Sequence, residues 1–226
     1  MRSRDDLKVT TAITSAVLLA VGVIFVLPRE PKYKGFTIAE WLSHPRQTES
    51  KEAILYLGTN NLDLLVNRLA YDPELDRKVL ALRHLITKFQ GTNMLRAFVR
   101  QKLQSKAEAL VRPRLQSQNE ATIALSSLGA LASPTIPRLA HIAKAATEGP
   151  ASSALEVLQT IGEQALPGIL SATSNTNPAV RTKALHALGQ HISNPIAWHA
   201  ITNSLLDPNP TVWREAVATI QGQAYK

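Results

Sequence analysis

The feature that most constrains the fold is an internal repeat. Aligning Gly129 on Gly162 superposes Leu-Gly-Ala-Leu-Ala-Ser-Pro-Thr-Ile (128–136) on Ile-Gly-Glu-Gln-Ala-Leu-Pro-Gly-Ile (161–169), so glycine, alanine, proline and isoleucine coincide at an offset of 33. A second register sets Asn177-Pro178-Ala179-Val180 on Asn209-Pro210-Thr211-Val212 at an offset of 32, and brings Ala184 onto Ala216 and Leu188 onto Ile220. Two independent registers therefore give one period, of the length that marks repeated supersecondary units. Upstream, Asp72-Pro73-Glu74-Leu75-Asp76-Arg77-Lys78 followed by Ala81-Leu82 and Leu85 has the same helix start, loosened by an insertion and without the glycine.

Each unit has consistent local chemistry. Asn or Asp caps a helix, a proline at the first helical position gives up no needed N–H, and Ala and Leu recur at i, i+3 and i+4. Glycine then closes the helix, and a proline five residues later falls in the first turn of the next. The expected helices are 49–58, 61–71, 73–89, 92–111, 119–129, 134–146, 150–161, 163–173, 178–190, 194–206 and 210–222, which pair into five hairpins and one leftover helix. Strand signals are poor, because aromatics make up 5% of the 226 residues and no window alternates β-branched residues between turns. The class is all-α. A hairpin of this length cannot bury its apolar face alone, so stacking predicts a right-handed α-solenoid over 49–226.

Before the repeats, residues 9–27 carry no charge and lie between Lys8 and Pro28. At 1.5 Å per residue, 19 residues reach roughly 28 Å, about the thickness of a bilayer's hydrocarbon core. The preferred reading is an uncleaved single-pass transmembrane signal anchor with residues 1–8 as a basic cytoplasmic tail, which puts the repeat domain on the extracytoplasmic, periplasmic side. A cleaved signal peptide and a buried core helix are the rivals. Arg2, Arg4 and Lys8 nearly balance Arg29, Lys32 and Lys34 across the run, so orientation follows from the signal-like order of basic end and apolar run. Residues 28–48 read as a proline-rich tether, a glycine turn, and a short capping helix started by Thr37. Trp41 shields the first repeat or contacts a partner.

The string Asn177-Pro-Ala-Val-Arg-x-x-Ala184-Leu-x-x-Leu188-Gly189 resembles the first-helix pattern of HEAT repeats, armadillo-like helical hairpins, and in particular the short variety of phycobilisome lyases. The resemblance covers 120–222 well and 50–115 loosely. Tetratricopeptide and ankyrin signatures are absent. Tyr33-Lys-Gly35-Phe-Thr37-Ile38-x-x-Trp41-Leu42 is similar to a segment that opens the body of some bacterial membrane-anchored HEAT-repeat proteins. The resemblance implies an interaction fold and brings no catalytic residue, cofactor or metal. A lyase-like enzyme of the short HEAT-repeat type would be its enzymatic form.

Little in the chain suggests chemistry. There is no cysteine, so thiolate nucleophiles and cysteine-ligated metals are excluded. Of the six histidines, His186 and His191 are five apart, a spacing that puts them on different helix faces, and the carboxylates, Glu156 and Glu163 included, are scattered. Charge is more informative. Of the net +8, residues 68–114 hold 11 Lys or Arg against 4 Asp or Glu. Arg77, Lys78, Arg83, Lys88, Arg96, Arg100, Lys102, Lys106, Arg112 and Arg114 form a candidate patch for anionic lipid head groups, nucleic acid or an acidic protein face, the alternative being a solvated helix surface that is basic; nucleic acid ranks last if the body is extracytoplasmic. Only Phe89 and Phe98 interleave it, which argues against stacking on single-stranded nucleic acid.

The leading expectation is a membrane-anchored scaffold that binds a protein partner along the second helices of its hairpins. A basic envelope module gripping anionic lipid or polymer through residues 77–114 is the alternative. The last helix, with Trp213, Val217 and Ile220, has no predicted partner, so this end is either capped by its own tail or available for self-association.

Overall fold

The structure is a computed structural model that describes residues 30–44, 47–70, 72–89, 94–145 and 147–224. Among them the fold is all-α. Eleven helices run in the order α1 (Ile38–Leu42), α2 (Gln47–Asn60), α3 (Leu62–Leu69), α4 (Pro73–Lys88), α5 (Met94–Leu128), α6 (Ile136–Ala145), α7 (Glu148–Ile161), α8 (Leu166–Ala172), α9 (Pro178–Gly189), α10 (Pro195–Asn203) and α11 (Pro210–Ala224). No described helix is long and apolar enough to cross a membrane, and the anchor expected over 9–27 lies outside the described residues.

Helix starts follow the sequence chemistry. The side chains of Asp72, Asn177 and Asn194 accept hydrogen bonds from the amides of Glu74, Ala179 and Ile196, and in each case proline is the first helical residue. The two glycine breaks also correspond: Gly129 (φ 52°) and Gly162 (φ 91°) each open a 3₁₀ turn, Gly129–Thr135 and Glu163–Ala165, that leads into the next α-helix. At Gly162, with ψ −149°, the backbone occupies a region essentially reserved for glycine. A Cβ there would meet nothing within 4 Å, so conformation alone demands the residue. Pro167 lies in the first turn of α8, as expected, whereas Pro134 belongs to the 3₁₀ turn that precedes α6.

The helices pack in two rows. The C-terminal part of α5, then α7, α9 and α11, form one row, each helix touching the next; α3, α6, α8 and α10 form the other. One continuous apolar cluster runs through both rows from Ile38 to Ala216, with Leu125, Leu139, Leu158, Ile169, Leu185, Leu188 and Ile201 almost fully buried. Each such side chain contributes about 1.5–3 kcal/mol relative to exposure. Polar links tie successive hairpins together. Arg138 of α6 donates to Asp63 (2.6 Å) and Asn67 (2.5 Å) of α3, and buried Asn175 donates through Nδ2 to the Ala143 carbonyl (2.9 Å).

Two expectations need correction. Residues 92–111 and 119–129 are not separate helices, because α5 runs unbroken through Pro113. A proline removes the bond to the carbonyl four residues back, here Ala109, and both residues are exposed, so water can satisfy that oxygen. The hairpin expected from 73–89 and 92–111 is consequently not a stacked unit. α4 packs against α5, with no other helix contact of comparable extent, and the pair forms a side arm. The last helix, for its part, has a partner: α11 packs along α9 and buries Val212 and Ala216.

Candidate interaction surfaces

The segment before α2 is a tight turn and a short helix that pack against α2 and α5. Lys34 (φ 47°) and Gly35 (φ 89°) make a tight turn in which the Tyr33 and Phe36 amides and carbonyls pair, at 2.9 and 3.1 Å. Thr37 then caps α1 in a reciprocal box with Glu40. This turn sets Trp41, 2% exposed, against α2 and α5, with its indole N–H donating to the Tyr33 carbonyl at 3.0 Å and Tyr33, Phe36 and His44 rings around it. Trp41 is thus a packing residue with no face left for a ligand. Trp213, on α11, is 38% exposed and carries the Arg214 guanidinium over its ring, 5.5 Å from the centroid.

The basic residues of the arm do not share one face. Arg114, half-buried, donates to the Ala70 carbonyl beyond the end of α3 and so anchors the base of the arm. Arg100, also half-buried, sits on the stripe of α5 that includes Leu103, Ala107 and Val111, turned toward α4. Arg83 and Arg112 line a groove of about 730 Å³ between the two helices, with Val79, Ile86, Val111 and Leu115 as its apolar lining and Glu108 among them. Lys78, Lys88, Lys102 and Lys106 are exposed elsewhere on the arm, Lys78 in a 2.8 Å ion pair with Glu74. Arg77 is exposed on α4, and Arg96 lies in the first turn of α5.

A second opening went unnoticed in the sequence. Between α8 and α10 lies a cleft of about 690 Å³ lined by Leu170, Thr173, Ile196, His199, Asn203 and Leu206, among others. Ile196 is 61% and Leu206 89% exposed, and Trp198 and Leu205 are also exposed nearby in sequence. The available signal was a pair of apolar doublets, Pro195-Ile196 at the start of α10 and Leu205-Leu206 in the 3₁₀ turn that follows it. At the cleft's edge, Arg181 grips Asp207 in a two-pronged pair, Nε and Nη2 each 2.8 Å from a carboxylate oxygen. The guanidinium also donates to the carbonyls of Asn175 and Thr176, and the carboxylate accepts the Asn209 amide. The arginine bonds hold the Asp207 carboxyl below its usual range, against the opposing effect of burial.

Among the described residues no group of three or more His, Asp and Glu is arranged to hold a metal ion. His186 lies 3.6 Å from Glu215 on α11, while Glu156 and Glu163 are exposed on separate elements. Against known proteins, no family model, no curated protein and no solved structure matches this chain. The resemblance to HEAT repeats therefore rests on the residues that carry it.

Proposed function

We propose that the chain is a single-pass membrane-anchored scaffold, a right-handed α-solenoid of HEAT-like units that holds a protein partner along its second row of helices. The observation that carries this reading is the cleft between α8 and α10, where Ile196 and Leu206 present apolar side chains to solvent beside the polar His199 and Asn203. Exposed apolar anchors framed by polar groups are what protein interfaces bury at their centres. Both α8 and α10 are second helices of successive hairpins, the surface on which stacked repeats meet their ligands. Residues 9–27 supply the anchor, with the repeats on the extracytoplasmic side, and no catalytic step or cofactor is assigned.

Photo-crosslinking amino acids at positions 196 and 206 of the full chain test the reading in intact cells. The expected result is one discrete protein adduct from both positions and none from position 156 on α7 of the other row. Equal labelling from both rows, or no adduct from 196 and 206, would contradict it.

A further inference from the structure

The side arm carries exposed leucines as well as lysines, and helix geometry sorts them. The groove-lining residues Val79, Arg83 and Ile86 of α4, with Gln104, Glu108 and Leu115 of α5, define one flank of the hairpin. At about 100° per residue, Lys78, Leu85 and Lys88 of α4 lie roughly 110–170° round the helix axis from the middle of that lining, and Lys102, Lys106 and Leu110 of α5 roughly 140–180°, which puts all six on the other flank. All six are exposed, and their acidic neighbour is Glu74, paired with Lys78. The flank is therefore an apolar centre, Leu85 and Leu110, surrounded by four ammonium groups on long flexible stems.

The base of this arm is tied to the point where the tether enters. Glu30 accepts from the Arg68 guanidinium at 2.5 Å, in the last turn of α3. Two residues further on, the Ala70 carbonyl accepts from Arg114 of α5. The apolar run ends at Leu27, three residues before Glu30, and three residues of fully extended chain reach at most about 10 Å. A membrane that holds residues 9–27 thus lies within about 10 Å of Glu30, whose ion pair with Arg68 is two residues from the Ala70 carbonyl at the arm's base.

From these observations we infer that the lysine-and-leucine flank of the α4–α5 arm docks on the anionic phospholipid surface of the membrane in which the chain is anchored. Lysine heads would meet lipid phosphates while Leu85 and Leu110 enter the headgroup boundary, the division of labour of interfacial helices. The inference rests on the anchor proposed above. It adds a second attachment that would fix the orientation of the repeats over the bilayer.

The chain has no cysteine, so a single introduced thiol can be labelled. Full-length protein carrying Ala81→Cys, one turn from Leu85, or Thr87→Cys, toward the groove side, is labelled with a fluorophore and reconstituted into vesicles. These contain zwitterionic lipid alone or with about 30% phosphatidylglycerol, and a headgroup nitroxide serves as quencher. Quenching at position 81 should rise at least about twofold with the anionic lipid, and should be lost at about 1 M salt, where the screening length falls to about 3 Å. Position 87 should not respond. The K78E/K88E/K102E/K106E variant, whose four sites are exposed, should abolish the rise while keeping its helical circular dichroism. A position-81 signal indifferent to anionic lipid and salt, in protein that floats with both vesicle types, overturns the docking and leaves the anchor standing. Protein that fails to float with zwitterionic vesicles overturns both.

Discussion

Trp41→Ala is expected to destabilise the chain by about 3–5 kcal/mol, the range for removing a large aromatic from a packed site. The residue is 2% exposed, its N–H is satisfied by the Tyr33 carbonyl, and the Tyr33 and Phe36 rings close over it. The alanine variant would leave a cavity and take from the Tyr33 carbonyl one of its two hydrogen bonds, the Phe36 amide remaining. Helices that touch mainly their neighbours lose stability locally. Hydrogen exchange should therefore quicken first in α1, α2 and the C-terminal part of α5, which surround the indole, and last in α9 and α11. Urea unfolding measures the total. A loss below about 1 kcal/mol, or exchange that rises evenly along the chain, would mean that the segment before the repeats is not a cap.

Arg181→Ala should cost a similar amount, about 3–5 kcal/mol, because it leaves the carboxylate of Asp207 shielded from water without its cation. The side chains of the pair are 14% and 13% exposed, and Arg181 also holds two loop carbonyls before α9. Arg181→Lys should recover only part of the loss, since an ammonium cannot reproduce the planar fork. The pH dependence has a definite sign. Asp207 titrates lower in the folded chain than in the unfolded one, so the unfolded chain binds more protons in between. This contribution is fully present above the ordinary carboxyl value of about 3.9 and is lost as pH falls through the lower folded value. In Arg181→Ala that acid-side slope should shrink, which thermal unfolding as a function of pH would read directly.

Local chemistry was legible in the sequence, and long-range juxtaposition was not. Asn177-Pro178 and Asn194-Pro195 start helices because an Asx side chain and a proline solve the first-turn problem without outside help. Gly129 and Gly162 end them because positive φ strains other residues. Thr37 and Trp41 likewise combine a cap with an apolar face, and Ile38 and Trp41 are buried. By contrast, Pro113 misled: a proline in a polar stretch looks like a boundary, but inside α5 it costs one bond that an exposed carbonyl can make to water. Arg181 and Asp207 are 26 residues apart and meet through a turn of the fold that no local pattern specifies. The same holds for the cleft, which exists because α8 and α10 are adjacent. The charge excess of 68–114 was visible as composition, but its division between groove, base and outer flank follows from helix phase and from the unbroken run of α5.

The membrane-anchored scaffold is tested most directly by the full chain carrying, after Lys226, a reporter active only outside the cytoplasm. It is expressed in a bacterium, and the membranes are washed at alkaline pH. The expected result is an active reporter retained in the washed membranes. An active reporter released by the wash would contradict the anchor in favour of a cleaved leader, and an inactive one released with soluble protein would contradict membrane attachment altogether.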